Sequence, residues 1–226
     1  MHQVSIRQEI IDRVMARRQR FHLFDRLDPT KTAVIAIDMQ NTFLQPGSPA
    51  EVPLSRQIVE PINRLNEGVR GLGGHIVWVT HANSGSGEDS DWPCFFNNFV
   101  ADDVRARTID SLLPGRHGQE IWPELHVEAT DIQITKNRYS ALIPGASDLD
   151  QVLRGLDVTN LLITGTKTNV CCESTARDAM MMNFNVVMVS DATAALSDNE
   201  HQATLETVIQ QFGDVLTVSE VLEIIK

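Results

Sequence analysis

The chain has 226 residues, 42% of them hydrophobic and 22% charged, so it can bury the core of one medium-sized domain. A formal net charge of −11 disfavours nucleic-acid binding, because an acidic surface repels phosphate backbones. Three cysteines, two of them adjacent, do not suit a secreted disulfide framework. No apolar run approaches the ~18 residues of a membrane span, and the N-terminus lacks a signal-peptide core, so we expect a cytoplasmic protein with no membrane partner.

The predicted elements begin with an amphipathic helix over residues 5–20. This helix belongs to an arm, residues 1–28, that precedes a single domain, residues 29–226. The arm either covers this domain or reaches a neighbouring subunit. Strands are predicted at 32–40, 73–81, 131–136, 160–165, 185–192 and 214–218, and helices at 55–72, 147–156, 171–184, 199–212 and 219–226.

The order of these elements predicts the fold class. Residues 32–40 form a near-continuous apolar run, which is typical of a strand buried on both faces of a parallel sheet. Strands that alternate with helices predict an α/β protein with a doubly wound, mostly parallel six-stranded sheet and helices on both faces. Residues 82–115 are long and irregular, so they are either functional or contain short elements that the pattern does not reveal.

Three reactive side chains follow predicted strands. Asp38 ends the first strand, Lys136 ends the third, and Cys171 begins the helix after the fourth. Sites in open α/β sheets form at the carboxyl ends of strands, so these residues map to one edge of the sheet. A helix N-terminus and a nearby lysine favour a thiolate, and a carboxylate can take the thiol proton and return it to a leaving amine.

Each of these residues alone also has an ordinary structural interpretation. A single cysteine is more often an inert buried thiol, an aspartate after a strand is often a turn residue, and a lysine there is usually a solvated charge. Spacing alone therefore leaves the catalytic and the structural interpretations open.

Three segments carry a family resemblance: VIAIDMQNTF, KNRYS and GTKTNVCCESTARDA. In this order they resemble the signature segments of isochorismatase-like cysteine hydrolases, over about residues 30–220. The wording is most similar to the ureidoacrylate and N-carbamoylsarcosine amidohydrolases, with streptothricin hydrolase a further similar member. The resemblance implies a catalytic triad of Asp38, Lys136 and Cys171, with the nucleophile being the cysteine directly after Thr-Asn-Val and not Cys172.

The resemblance also implies an activity and a backbone geometry. The expected reaction is hydrolysis of the C–N bond of a small amide, carbamoyl or ureido compound through a thioester-type intermediate. A cis peptide bond is expected between Thr166 and Lys167, and the backbone N–H groups of Lys167 and Cys171 are expected to hold the oxyanion. The family often forms homodimers or homotetramers, which is the expectation for this chain.

The sequence departs from its relatives at several positions. Nicotinamidases have a metal site built on Asp-x-His, and this motif does not occur here, so we predict no metal and no cofactor. His81 stands where ureidoacrylate-type enzymes often have Asn. Lys167 stands where a small or apolar residue is usual, and its amine either points away from the pocket or meets a substrate anion.

The candidate substrate-binding residues are Asn41, His81, Trp92, Phe96 and Tyr139. His81 is equally well explained as a structural histidine, and the aromatic residues of the long stretch as a pocket wall or a subunit interface. Two other functions stand beside amide cleavage: vinyl-ether hydrolysis of isochorismate, and a non-catalytic binding module on the same fold. The presence of the cysteine favours amide cleavage over the first, and the complete triad argues against the second.

Overall fold

The computed structural model describes residues 2–83 and 92–226. The strands in these ranges are β1 (Thr32–Ile37), β2 (His75–His81), β3 (Ile132–Lys136), β4 (Asn160–Thr166), β5 (Asn185–Ala194) and β6 (Asp214–Leu216). The helices are α1 (Gln8–Arg18), α2 (Asn41–Leu44), α3 (Val59–Gly71), α4 (Pro93–Phe99), α5 (Asp102–Ser111), α6 (Leu149–Gly155), α7 (Glu173–Met181), α8 (Asp198–Gln211) and α9 (Val218–Ile224). None of these helices has the length and apolar character needed to cross a membrane.

The six strands form one sheet in the order β3-β2-β1-β4-β5-β6, and every pair of neighbouring strands is parallel. The predicted fold class is therefore confirmed. Chain order reverses between β1 and β4, because β1 continues outward to β2 and β3 on one side while β4 continues to β5 and β6 on the other. In such sheets a crevice opens at the carboxyl ends of the two strands that flank the reversal.

Both faces of the sheet are covered by helices, which explains the continuous apolar run in β1. Ala33, Ile35 and Ile37 belong to the core on the face covered by α1, α6, α7 and α8. Val34 and Ala36 belong to the core on the opposite face, under α3 and α9. Because a strand alternates its side chains between faces, a strand covered on both sides needs apolar residues at every position.

The N-terminal arm packs on its own chain. The backbone and guanidinium of Arg7 donate to the carboxylate of Glu206 on α8, and the backbone N–H of Leu23 donates to Asp214. Leu27 then pairs with Ile225 near the C-terminus. The arm therefore covers the domain of its own chain, and the division into residues 1–28 and 29–226 stays a prediction.

The stretch predicted as irregular, residues 82–115, contains two helices. These are α4 and α5, and residues 84–91 lie outside the described residues. α5 begins with Asp102 and Asp103, whose charges complement the positive end of the helix dipole. The prediction missed both helices because they are short and their apolar residues do not follow a clear helical period.

Gly165 lets β4 approach β1 at the reversal of strand order. Its φ is +105°, a conformation that L-residues rarely adopt, and a Cβ built there overlaps the backbone of Ile37. Gly165 is paired with Ile37 in the sheet, directly before Asp38. A glycine here therefore keeps the two strands that flank the crevice at their observed separation.

We predict that Gly165→Ala lowers the free energy of unfolding by at least about 3 kcal/mol, because it combines an unfavourable φ with a backbone overlap. Gly47→Ala is the matched control, since Gly47 also has a positive φ (+80°) but has no atom within 4 Å of an added Cβ. The control should cost only about 1 kcal/mol. Urea unfolding of both variants checks this, and equal losses would contradict it.

Candidate active site

Asp38, Lys136 and Cys171 meet at the carboxyl edge of the sheet. The ammonium of Lys136 donates to Asp38 Oδ2 at 2.9 Å and lies 3.7 Å from the sulfur of Cys171. Asp38 and Lys136 are 1% and 0% exposed, so this ion pair is shielded from water. Asp38 Oδ1 accepts no hydrogen bond from the described residues, which leaves one carboxylate oxygen able to take a proton. The structure thus brings together the three residues predicted as a triad.

The backbone sets the position of Asp38. This residue follows β1 with a φ of +55°, and its N–H donates to the carbonyl of Val79 on β2. A non-glycine residue in the left-handed region costs of order 1 kcal/mol and is frequent at functional sites. The chain therefore holds Asp38 in a strained turn at the end of the central strand.

Lys136 makes contacts on all sides. Besides Asp38 and Cys171, its ammonium donates to the backbone carbonyl of Arg138 at 3.0 Å and lies 3.3 Å from Nδ1 of His81. An ammonium has only donors, so Nδ1 acts as an acceptor and the proton of the imidazole sits on Nε2. Burial and the charges of Lys136 and Arg138 hold the pKa of His81 well below 6.5, so this histidine is neutral.

Burial is the largest single effect on the pKa of each of the three central groups, and neighbouring charges outweigh it only at Lys136. It raises the pKa of the Asp38 carboxyl above 3.8, and the charge of Lys136 opposes this only in part. Burial would lower the pKa of Lys136, but Asp38 and Cys171 outweigh it, and the pKa of the amine is raised. Burial, followed by the Asp38 charge, raises the pKa of the Cys171 thiol. The resting thiol is therefore protonated, and the thiolate expected from its position in the sequence is not the resting form.

The nucleophile turn differs from the predicted helix start. Residues 168–172 form one turn of π-helix, in which the N–H of Cys172 donates to the carbonyl of Lys167, and α7 begins only at Glu173. Single π-helical turns are rare in proteins as a whole, and those that occur are often found at functional sites. The peptide bond between Thr166 and Lys167 is cis. Cys171 thus lies in a π-helical turn that leads into α7 and not in the first turn of an α-helix.

The two adjacent cysteines have different surroundings. Cys171 lines the cavity at the sheet edge and is 8% exposed. Cys172 is 0% exposed, and its thiol contacts the carbonyl of Thr164 on β4 at 3.7 Å. Burial also raises the pKa of Cys172 well above its ordinary value. Cys171 is therefore the cysteine that a ligand in the cavity can reach.

A cavity of about 270 Å³ opens above the triad. Its walls are mainly aromatic and aliphatic, and they include Phe43, Trp92, Phe95, Phe96, Tyr139 and Leu196. The ring of Tyr139 packs edge-on against Trp92, with 4.6 Å between centroids. Burial raises the pKa of Tyr139 to about 12, so its hydroxyl stays protonated and can donate a hydrogen bond.

Four of the five predicted substrate-binding residues line this cavity: His81, Trp92, Phe96 and Tyr139. Asn41 does not. Its side chain donates to the carbonyl of His117 at 2.8 Å, so it fastens α2 to the segment before β3. Which of the four touches a substrate stays a prediction.

Several residues of the site were not predicted from the sequence. The side chain of Gln40 donates to the carbonyl of His81 at 2.9 Å and accepts from its N–H at 2.7 Å, so it holds the end of β2. Residues 49–52 and Leu196 line the cavity from loops after α2 and β5. The one signal in the sequence that pointed to Gln40 is its position two residues after Asp38.

Among residues 2–83 and 92–226, no group of three His, Cys, Asp or Glu side chains is arranged to hold a metal ion.

A hydrogen bond from α8 supports the nucleophile turn. Oγ1 of Thr168, in the π-helical turn, lies 2.9 Å from Nδ1 of His201. His201 is 1% exposed and stacks on His2 of the arm, with 4.2 Å between ring centroids, and His2 contacts Asp198 at 2.7 Å. Burial, followed by the charge of His2, lowers the pKa of His201 to about 4.

Comparison with known proteins gives consistent matches. The family model described as Isochorismatase domain matches residues 32–220. The ureidoacrylate amidohydrolase of Caulobacter vibrioides is 30% identical over 209 residues, covering 86% of this chain and 91% of that protein. A protein of Arabidopsis thaliana named probable inactive nicotinamidase is 30% identical over 176 residues, covering 77% and 86%. The crystal structure of a cysteine hydrolase from Pseudomonas syringae pv. phaseolicola matches with a TM-score of 0.79 and 29% identity, covering 90% and 95%.

The depressed pKa of His201 makes a prediction about stability. The unfolded chain binds a proton at this residue below about pH 6.5, whereas the folded chain resists protonation until about pH 4. The stabilisation is therefore complete above pH 6.5 and is lost as the pH falls toward 4, by about 2 kcal/mol. In His201→Gln this part of the pH dependence should disappear. Urea unfolding at pH 7 and pH 4.5 compares the two proteins, and the same loss in both would contradict the prediction.

Proposed function

The chain belongs to the isochorismatase family, whose members include hydrolases and amidohydrolases, and from this premise we propose that it is a cysteine-dependent amidohydrolase of small non-peptide amides. The substrates we propose are amide, carbamoyl or ureido compounds. The observation that carries the proposal is the contact of one buried ammonium, Lys136, with both Asp38 and the cavity-lining sulfur of Cys171. A purely structural role explains the ion pair but not a thiol beside it that faces a cavity.

In the first half of the reaction, Cys171 attacks the carbonyl carbon. Asp38 takes the proton from the thiol as the S–C bond forms, and the free Oδ1 is the acceptor. Because the pKa of the thiol is raised by burial, sulfur attack and proton transfer belong to one step and no stable thiolate precedes them. The charge of Lys136 stabilises the negative charge that sulfur gains on the way.

The C–N bond then breaks. Asp38 passes its proton to the nitrogen, which leaves as ammonia or an amine, and the acyl group stays on Cys171 as a thioester or thiocarbamate. A raised carboxyl pKa suits this double duty, since the group must both accept and return a proton near neutral pH. In the second half, water gives a proton to Asp38 and attacks the acyl carbon, and the sulfur leaves with that proton.

The oxyanion formed in both halves needs hydrogen-bond donors. We assign this role to the backbone N–H groups of Lys167, the N-cap of the π-helical turn after β4, and of Cys171, which lies within that turn. Backbone donors fixed in a dry cavity stabilise a developing oxyanion by several kcal/mol. Tyr139, whose hydroxyl stays protonated, is a further donor that faces the same cavity.

Substitution of the two cysteines separates their roles. Cys171→Ala should lower kcat for amide hydrolysis at least about 10³-fold, because it removes the cavity-lining thiol beside Lys136. Cys172→Ala should keep kcat within about tenfold and lower the free energy of unfolding by about 1 to 2 kcal/mol, since it leaves a small gap in the core. Ammonia release from a panel of amides is the measurement. Full amide activity in Cys171→Ala would end the proposal, and isochorismate cleavage by that variant would favour vinyl-ether hydrolysis.

Asp38→Asn should move hydrolysis and thiol reactivity in opposite directions. Hydrolysis should fall at least about 10³-fold, because the variant has no base. Alkylation of Cys171 by iodoacetamide at pH 7 should become faster, because the Asp38 charge that raises the pKa of the thiol is gone. In the wild type, kcat/KM should fall as the pH drops through the pKa of Asp38, which lies above 3.8. If Asp38→Asn hydrolyses amides at the wild-type rate, Asp38 is not the base.

A further inference from the structure

Lys167 brings a positive charge to the cavity. The residue lines the cavity, and its charge is among those that lower the pKa of Cys171 against the larger effects of burial and Asp38. Among the described residues, lysine ammonium groups form salt bridges only at Lys31 and Lys136. The Lys167 ammonium therefore acts on the site without a carboxylate partner in the described part of the chain.

The other charged side chains around the cavity have partners of opposite charge. Glu51, which also lines it, pairs with Arg56 at 2.8 Å and accepts from the N–H of Gly47 at 2.8 Å. Asp38 and Lys136 neutralise each other, as described above. The Lys167 ammonium is therefore the charged group beside this cavity that has no partner of opposite charge among the described residues.

The walls of the cavity suit an apolar molecule. Phe43, Phe96 and Leu196 contribute hydrocarbon surface, and the volume of about 270 Å³ is that of a small ligand. An anionic group is costly to bring into such a place unless a counter-charge meets it. A single ammonium is a point charge that fits one carboxylate, whereas phosphate sites usually combine several donors from arginines or helix N-termini.

We infer that the side chain of Lys167 binds a carboxylate of the substrate and so determines specificity. The substrate class is then a small amide or ureido compound with an apolar body and a carboxylate away from the scissile bond. This inference rests on the proposed function. It adds that Lys167, whose backbone N–H is assigned to the oxyanion, also binds the carboxylate at the far end of the substrate through its side chain. Two held points orient the scissile carbonyl toward Cys171.

A pair of matched alkylating reagents tests the inference without any known substrate. N-(iodoacetyl)glycine and N-(iodoacetyl)glycinamide both alkylate Cys171 through their iodomethyl carbon. Only the first carries a carboxylate, and that carboxylate lies several bonds from the reacting carbon, as in the proposed substrate. In a Cys94→Ser background, which removes the exposed free cysteine, alkylation of Cys171 is followed by mass spectrometry. The rate ratio of the acid reagent to the amide reagent should be at least about tenfold higher in the wild type than in Lys167→Met.

Two further variants serve as controls. Lys167→Arg keeps the charge and should keep the ratio within about threefold, and Lys167→Glu should lower it below that of Lys167→Met. Added salt should lower the ratio of the wild type, which keeps the test informative if a variant does not fold. An equal ratio in the wild type and Lys167→Met would overturn the inference, because a lysine that only tunes the thiol pKa changes both reagents equally.

Hydrolysis provides the second arm. A ureido acid is compared with an alkylurea of the same length, and benzamide with its carboxylated analogue. The wild type should prefer the acid in kcat/KM by at least about tenfold, and Lys167→Met should lose this preference. Equal hydrolysis of acid and neutral compounds would overturn the inference and leave the proposed function intact. Failure to hydrolyse any amide would end the proposed function, while the reagent ratio would still decide whether Lys167 binds anions.

Discussion

The site depends on one buried ion pair, Asp38 with Lys136, placed beside a sulfur atom. Both partners are almost fully shielded from water, and taking two charges out of water costs free energy that their attraction offsets only with good geometry and further hydrogen bonds. Here the ammonium finds those bonds at the carbonyl of Arg138 and the imidazole of His81. A well-packed apolar pair would serve stability as well, so the pair is better explained by what it does to the thiol of Cys171.

The sheet explains how three residues distant in the chain reach one point. Asp38 follows β1, Lys136 ends β3, and Cys171 follows β4, and parallel strands bring all their carboxyl ends to one edge. Chain order reverses between β1 and β4, so the crevice that any such sheet has at its reversal contains both the acid and the sulfur. Three features then set the finer geometry: the close approach allowed by Gly165, the π-helical turn of residues 168–172, and the hydrogen bond between α8 and that turn.

Sequence patterns predicted the sheet and the convergence of the triad because both follow from local rules. Continuous apolar runs mark strands buried on two faces, and strand ends in a parallel sheet share an edge. The ionisation of Cys171 was not predictable in this way, because burial and the Asp38 charge raise the pKa of its thiol more than the charges of Lys136 and Lys167 lower it. The roles of Asn41, which hydrogen-bonds to His117, and of Gln40, which holds the end of β2, likewise depend on contacts between distant segments. The apolar residues of α4 and α5 follow no clear helical period, so the sequence pattern did not reveal these two helices.

The most direct test is to look for the acyl group on the sulfur. The starting protein is Cys172→Ala, so that one cysteine remains in that segment. It is mixed with one equivalent of an amide that the enzyme hydrolyses, and the reaction is quenched in acid at successive times. Mass spectrometry should find the acyl or carbamoyl group on Cys171, rising as ammonia appears and then decaying as the acid product forms. Complete turnover with this sulfur unmodified at every time, or the acyl group on any other residue, would contradict the account.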